Sequence, residues 1–344
     1  MGNGLNRRKA ASLASLFLFP LLAACDVSVG TRVAWSPSGR AVAFLSNGRP
    51  WVYDFASGSL TKVVAPVATA DQVAWSSQES LLAISTRNVV ELVSEDQGRY
   101  AASAVFTAPE LDGATDFVLS WHPKEKRLLL VQSGDKISTS EIVASSETID
   151  TSPGYGVYGP GGSWILWVNQ AAVGHQQDRM VFVREGLDHG VLPLSDEDQA
   201  ILGDSGSAMM WPWGNPPCVT QKHDEGTKLY CFDEAGRLRM KAALPKETET
   251  PGNGKEVDTG AVFINRAQTL FTRDSFEIVD AKGKIKTHGK HFMDAVSREI
   301  PEAAASTSNI AWSPDGNWLA IVINGRLCLW NWRNDVARIL PKLD

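Results

Sequence analysis

The chain has 344 residues, 33 of them lysine or arginine against 39 aspartates and glutamates, for a formal net charge of −6. An acidic chain without a basic cluster lacks the countercharge that phosphate backbones demand, which argues against a nucleic-acid partner. Beyond the N-terminal segment, no apolar run approaches the roughly 18 residues that a spanning helix needs.

Residues 1–25 read as a targeting segment. Arg7, Arg8 and Lys9 form a basic start, Ala10 to Leu22 is an apolar run too short to span and stay, and Leu22-Ala23-Ala24-Cys25 follows. These last four residues resemble a bacterial lipobox, in which small residues admit the lipoprotein peptidase and the cysteine thiol takes a diacylglyceryl group. The resemblance implies a lipidated Cys25, and several acyl chains anchor a soluble domain far more firmly than one. Arg7-Arg8 lacks the apolar residues that should follow a twin-arginine signal. Residues 26–30 then serve as a tether. Asp26 resembles the enteric signal for inner-membrane retention, so the expected location is the bacterial cell envelope, with the periplasmic face of the inner membrane favoured over the outer membrane. Removing the three basic residues of the segment leaves a mature charge of 30 − 39 = −9.

From residue 31 to 344 one pattern returns. An aromatic residue is followed by a turn and then by an apolar triplet that starts seven positions later: Trp35, Trp75, Trp121, Tyr158, Trp211, Phe263 and Trp312. The spacings are 40, 46, 37, 53, 52 and 49 residues. A unit of that length is too small to bury its own sheet, and stacked units of this period predict a β-propeller. The expected fold class is all-β, a single domain forming a seven-bladed β-propeller of four-stranded antiparallel blades. Six or eight blades would require one of these motifs to be accidental or another to be worn away.

The first and last units show the mechanics. Trp35-Ser36-Pro37-Ser38-Gly39 matches Trp312-Ser313-Pro314-Asp315-Gly316, where proline presets φ and glycine supplies positive φ for the first turn. Asn47-Gly48 and Asn324-Gly325 predict two-residue type I′ hairpins. The second strands, Ala41 to Leu45 and Trp318 to Ile323, are nearly continuous in apolar residues, as in a sheet covered on both faces. A third strand carries Trp51-Val52-Tyr53 or Leu327 to Trp330, and a more polar outer strand follows at Leu60 to Val64 and Val336 to Leu340. Unit four inserts Gln170 to Arg179 into its second hairpin.

The stretch Trp312-Ser313-Pro314-Asp315-Gly316-Asn317-Trp318-Leu319-Ala320 resembles the repeat of TolB-like β-propellers and, less closely, of WD-repeat proteins. The Gly-His and Trp-Asp signatures of the latter are missing. The resemblance covers the chain after residue 30 and implies a blade, with the aromatic rings between blades, rather than an activity.

Cys218 and Cys231 lie on two arms of one predicted hairpin, and a two-residue loop at Asp224-Glu225 sets them opposite each other. Cross-strand neighbours outside the hydrogen-bonded pairs come within disulfide reach. The expected bridge, closing so short a loop, is worth about 3 kcal/mol in the chain-entropy model. Cys328 has no evident mate and reads as a buried thiol.

Enzyme motifs are weak. Of the histidines at 122, 175, 189, 223, 288 and 291, only His288 and His291 are close, and no third metal ligand is marked beside them. There is no Cys-x-x-Cys-His and no Gly-x-Ser-x-Gly. Gly159-Pro160-Gly161-Gly162 lacks the lysine of a phosphate loop. Asp196-Glu197-Asp198 lacks the spacing of a calcium site and reads as solvated loop. No catalytic residue, cofactor or metal is expected.

In a four-stranded blade the second-to-third hairpins and the crossovers to the next blade leave from one face. Ala104 to Asp116, Leu187 to Ala208, Ala243 to Gly260 and Thr287 to Asn309 read as crossovers, the last with a short helix in His291 to Ala305 interrupted by Pro301. These loops predict an acidic docking face for an envelope protein, with His175, Gln176, Asp196, Glu197, Asp198, Glu247, Glu249, Glu256 and Asp258 as candidate contacts. The expected function is therefore a membrane-anchored scaffold for protein–protein interaction. The alternative is an enzyme or small-ligand binder using the central channel.

Overall fold

The computed structural model describes residues 31–64, 69–77, 81–86, 89–96, 98–107, 117–132, 136–141, 143–148, 154–169, 181–184, 191–192, 195–203, 208–211, 217–223, 225–245, 262–273, 276–301 and 310–343. Within them 28 strands form seven four-stranded antiparallel sheets, each built from strands consecutive in the chain. Sheet one holds β1 (Val33–Trp35), β2 (Ala41–Ser46), β3 (Arg49–Asp54) and β4 (Leu60–Lys62). Sheet two holds β5 (Gln72–Trp75), β6 (Leu81–Ser85), β7 (Val89–Asp96) and β8 (Arg99–Thr107). Sheet three holds β9 (Phe117–Trp121), β10 (Arg127–Gln132), β11 (Lys136–Glu141) and β12 (Val143–Thr148), and sheet four β13 (Gly154–Tyr158), β14 (Ile165–Asn169), β15 (Val181–Arg184) and β16 (Val191–Leu192). Sheet five follows helix α1 (Asp196–Gly203) with β17 (Ala208–Trp211), β18 (Cys218–His223), β19 (Gly226–Phe232) and β20 (Leu238–Pro245). Sheet six is shorter, with β21 (Val262–Ile264), β22 (Leu270–Arg273), β23 (Ile278–Asp280) and β24 (Ile285–Thr287). Helix α2 (Lys290–Glu299) leads into sheet seven, which holds β25 (Ile310–Trp312), β26 (Trp318–Ile323), β27 (Arg326–Asn331) and β28 (Val336–Ile339).

Local chemistry explains the turns. Gly39 and Gly316 sit at φ 72° and 69°, and each N–H returns to the carbonyl of Ser36 or Ser313 at 2.9 Å. The hydroxyls of those serines accept the N–H of Ala41 and Trp318, both at 2.9 Å, which starts the second strand. At the hairpins Asn47 and Gly48 adopt φ 50° and 74°, and Asn324 and Gly325 48° and 74°, the left-handed pair that a type I′ turn requires. Strand β2 is buried along its whole length, as its unbroken apolar run predicts.

Register follows the same spacing. Trp35 faces Val42, Trp75 faces Leu82, Trp121 faces Leu128, Tyr158 faces Ile165, Trp211 faces Cys218 and Trp312 faces Leu319. Sheet six corrects the sequence reading by one residue: Phe263 faces Thr272, and it is Ile264 that stands opposite Phe271. The turn decides this. Asn265 takes the place of Ser36 and Ser313, its Oδ1 accepting the N–H groups of Thr269 and Leu270 at 2.9 Å each, so the strand position before it is Ile264 whatever ring lies nearby.

Each sheet packs on the next. Ala43, Leu45 and Val52 of sheet one meet Val73, Leu82 and Ile84 of sheet two, and Val90 and Leu92 of sheet two meet Trp121 and Leu128 of sheet three. Ser120 Oγ accepts the N–H of Tyr158 at 3.0 Å between sheets three and four. Trp164 Nε1–H, beside the first turn of sheet four, donates to the Glu234 carbonyl of sheet five at 2.9 Å. Leu229 and Ala242 of sheet five meet Phe271 and Val279 of sheet six, and Ile278 of sheet six joins Leu319 and Ile321 of sheet seven. Sheet seven returns to sheet one, with Ala320, Val322 and Leu329 against Val33, Val42 and Phe44. Full burial of each such side chain is worth about 1.5–3 kcal/mol, so the apolar faces between sheets carry most of the stability.

The indoles add direction to this packing. Trp35 Nε1–H donates to Ala311 O at 3.0 Å, Trp121 to Ala74 O at 2.9 Å and Trp312 to Phe263 O at 3.1 Å. In each case the acceptor precedes the equivalent ring position of the preceding sheet. These bonds add a second donor to carbonyls of the ladder, while Val73 N–H to Thr31 O at 2.9 Å and Leu119 N–H to Gln72 Oε1 at 3.4 Å occupy inner-edge backbone groups that a bare edge strand would leave unpaired.

Sheet seven supplies its own outer strand, and the chain end then crosses to sheet one. Leu340 and Leu343 join the core shared by sheets seven and one, and Ser46 Oγ and Asn47 Nδ2 donate to Leu343 O at 3.4 and 3.3 Å.

Candidate functional site

Of the candidate contacts, Cys25, His175, Gln176, Glu247, Glu249, Glu256 and Asp258 lie outside the described residues. The acidic triplet does not lie in a solvated loop. Asp196, Glu197 and Asp198 form the first turn of α1, where acidic side chains complement the helix dipole. Ser195 Oγ accepts the Asp198 N–H at 3.1 Å and donates to Asp198 Oδ2 at 2.8 Å. Asp198 Oδ1 accepts the Leu238 N–H at 3.0 Å, and the residue is 4% exposed. Asp196 and Glu197 remain exposed, but Asp198 is committed to the interior and is removed from the docking candidates. The signal was present in Ser195-x-x-Asp198, a cap serine with an acid three residues on.

The crossovers are also less one-sided than strand order alone suggests. Within Leu187 to Ala208 lies strand β16, the fourth of its sheet, so the crossover to sheet five begins after Leu192. The Asp198 bond to Leu238 fastens α1 beside the third-to-fourth turn of sheet five. Helix α2 spans the rim of sheet seven: His291 lies 4.0 Å from Asp335 at one end, and Arg326 donates to Glu299 O at 2.8 Å at the other. Its Phe292 is wedged between Phe276 and Trp330, each ring centroid 5.2 Å away. The helix covers Lys290–Glu299 and stops before Pro301, which bars helical geometry at Ile300, at φ −137°, ψ 73°; residues 302–305 of the expected helix lie outside the described residues.

The third-to-fourth turns share a device that the aromatic period did not reveal. Asp233 Oδ1 accepts the N–H groups of Ala235 and Arg237 at 2.9 and 3.0 Å, and Asp280 Oδ1 those of Lys282 and Lys284 at 2.9 Å each. Asp54 does the same for Ser57 at 2.7 Å. The Lys286 ammonium, 2.7 Å from the other Asp280 oxygen, together with the Lys284 and Lys282 amides holds that carboxyl at about 2. Asp233-x-x-Gly-Arg and Asp280-x-x-Gly-Lys were legible in the sequence as a second repeat. It gives this end of the sheets short, stiff turns.

The seven inner strands, β1, β5, β9, β13, β17, β21 and β25, contain no histidine, acid, lysine or arginine. The described histidines serve elsewhere. His122 is buried, with Nδ1 accepting the N–H groups of Lys124 and Glu125 at 3.2 and 2.9 Å and Nε2 facing Gly162 O at 3.2 Å. Nδ1 as acceptor assigns the proton to Nε2, so the ring joins sheet three to the first turn of sheet four as neutral imidazole. His223 faces Gln221 at 3.1 Å, and His288 and His291 point to two different carboxylates, Glu277 at 2.9 Å and Asp335 at 4.0 Å. Among the described residues no three His, Cys, Asp or Glu side chains form a metal-holding group.

Cys218 and Cys231 face each other in register, as His223 and Gly226 do at the end of the same hairpin. They stand as thiols with sulfurs 3.3 Å apart, 1% and 0% exposed. Burial pushes the Cys218 thiol well above its usual range. Cys328 is buried in sheet seven, its thiol pushed up to about 12 by burial.

No protein-family model and no curated protein matches the sequence. Among solved structures the chain is similar to one described as the crystal structure of the mitotic checkpoint complex, at 13% identity and a TM-score of 0.56, over 88% of this chain and 87% of that one. It is also similar to the structure of the Dos1 propeller, at 12% identity and a TM-score of 0.48 over 92% and 84% of the two chains. A putative TolB from Agrobacterium tumefaciens follows at 16% identity and 0.41, over 62% and 81%. The first likeness shows a shared fold, and the other two, with TM-scores below 0.5, add nothing to it. With the consecutive four-stranded sheets, it makes the chain a β-propeller.

Proposed function

We propose that the protein is a seven-bladed β-propeller lipoprotein, anchored in the bacterial envelope by a lipidated Cys25 and serving as a rigid scaffold for another envelope protein. The observation that carries this reading is the return of sheet seven onto sheet one through the Trp35 bond to Ala311. A ring closed in this way holds its loops in fixed relative positions, and display of loops on a stiff frame is what a scaffold requires.

The test is photo-crosslinking in the native envelope, with the reactive group placed in the 246–258 loop in one variant and at Glu234, in a short turn, in another. A partner captured from the loop and not from the turn supports a loop-side docking face. Unchanged partners after deletion of Lys246 to Asp258 would remove that loop from the interface. A small molecule that raises the melting temperature, and ceases to do so when inner-strand residues such as Gln72 or Ser120 are replaced, would move the function to the central channel. Labelled fatty acid incorporated by the wild-type chain and lost in Cys25→Ala tests the anchor.

A further inference from the structure

We propose that Cys218 and Cys231 are oxidised to a disulfide while the chain is folding, and that sheet six then packs over the bond and closes it to exchange. This rests on the envelope reading for the oxidant that meets the chain. The geometry stands without that reading.

The two cysteines occupy a particular kind of cross-strand site. Phe232 N–H donates to Pro217 O at 3.1 Å, so 217 and 232 are a hydrogen-bonded pair and the neighbouring 218 and 231 are not. Non-hydrogen-bonded pairs bring their backbones closest, about 4.5 Å between Cα atoms, which lies at the near end of the disulfide range. The sulfurs, already 3.3 Å apart, reach bonding distance by small side-chain rotations within a hairpin whose loop spans two residues. Cys328 lies two sheets away on β27 and does not compete for either partner.

The same place is shut in the folded protein. Both thiols are buried, and Phe271 and Val279 of sheet six complete the core that encloses them with Leu229 and Ala242. Exchange requires a thiolate and an approach path for the oxidant. Burial withholds the first by raising the Cys218 thiol, and sheet six withholds the second. The hairpin is local and forms in microseconds, whereas its cover arrives later in the chain. Disulfide formation takes seconds to hours, so the bond is made where the hairpin has formed and sheet six has not yet docked on it.

The chemistry balances with a disulfide-bearing oxidant such as glutathione disulfide. One cysteine thiolate attacks it, forming a mixed disulfide and releasing one glutathione thiol. The other cysteine displaces the second glutathione, and the two protons and two electrons lost by the pair leave in the two reduced glutathione molecules.

The experiment compares oxidation of the full-length chain before and after folding. Protein prepared reduced and folded is exposed to glutathione disulfide in native buffer; a second sample is unfolded in denaturant and refolded through the same oxidant. Both are then alkylated in denaturant without reductant, and the cysteine peptides are identified by mass. The expected result is a 218–231 bond in the refolded sample, lost in Cys218→Ser and in Cys231→Ser, with oxidation of the native sample slower on the order of a hundredfold. Equal rates in the two samples, pairing with Cys328, or no bond in either sample overturns the proposal. A bond made in the refolded sample but absent from protein isolated from cells upholds this chemistry and counts against the envelope location alone.

Discussion

Trp35 Nε1–H in the first sheet donates to the carbonyl of Ala311 in the last, 3.0 Å away across 276 positions of chain. Trp75 has the same ring at the same place in the next sheet, yet its Nε1 finds no acceptor among the described residues. The pair separates what an indole contributes as a hydrogen-bond donor from what it contributes as an apolar plate. Trp35→Phe keeps most of the burial and removes the indole's bond to the Ala311 carbonyl, which keeps its ladder partner Ala320, a cost of about 0.5–1.5 kcal/mol. Trp75→Phe loses no bond and is expected to cost less than Trp35→Phe. Urea denaturation of both variants checks this, and equal losses would show that the indole bridge adds nothing to closure.

His122 makes stability depend on pH. Its ring accepts two backbone N–H groups at Nδ1, and burial lowers its pKa below the usual value, with Glu125 opposing that shift and Arg127 and Lys124 adding to it. Tyr158 packs edge-on at 4.9 Å and Ser77 donates to the His122 carbonyl. The folded state disfavours the proton more than the unfolded chain does, so this contribution is complete above about pH 6.5 and is lost as pH falls through and below that value. His122→Asn keeps an acceptor, as Asn265 does at the equivalent turn of sheet six, and should flatten this part of the profile. Melting temperature followed between pH 5 and 8 tests it; an unchanged profile in His122→Asn would assign the dependence elsewhere.

Closure also depends on the chain end. Leu343 packs into the core between sheets seven and one while its carbonyl receives Asn47 and Ser46. Removing Pro341 to Asp344 should cost about 1–2 kcal/mol, mostly lost apolar burial. Arg338, 5.7 Å from the Phe55 ring and 5.6 Å from the Trp318 ring, covers the same junction. If truncation leaves the denaturation midpoint unchanged, the tail is a passenger.

The acidic turns act in the opposite pH range from His122. Asp280 is held at about 2, below its ordinary 3.8, so its contribution is present above about pH 4 and disappears as pH falls toward 2. Asp280→Asn retains the acceptor for the Lys282 and Lys284 amides and loses only the charge pairing with Lys286. Its acid unfolding should begin at the same pH as in wild type or lower, and a midpoint shifted upward would contradict this assignment.

Several features could be read along the chain because neighbours in sequence decide them. Asn47-Gly48 and Asn324-Gly325 specify their hairpins through backbone preference alone, and the two-residue loop at Asp224-Glu225 is enough to set Cys218 opposite Cys231. The aromatic period located the first strand of six sheets to the residue. In sheet six the ring itself misled, because Asn265 organises the turn and places Ile264 where Phe263 was expected. The acidic run at Asp196 to Asp198 is a helix start and not a solvated loop because Ser195 caps it, a signal carried by the residue before the run rather than by its charges.

From its residues alone the chain specified repeating four-stranded units, the turns of the first and last of them and the placing of Cys218 opposite Cys231, all of which depend on separations short enough for local torsions and strand register to rule. Only the folded arrangement assigned the Trp35 donor to Ala311, drew Asp198 inward to Leu238, and laid α2 against the rim of sheet seven. Those choices depend on which surfaces meet after each sheet has formed, and a contact between distant segments is set by packing summed over both rather than by the preferences of either.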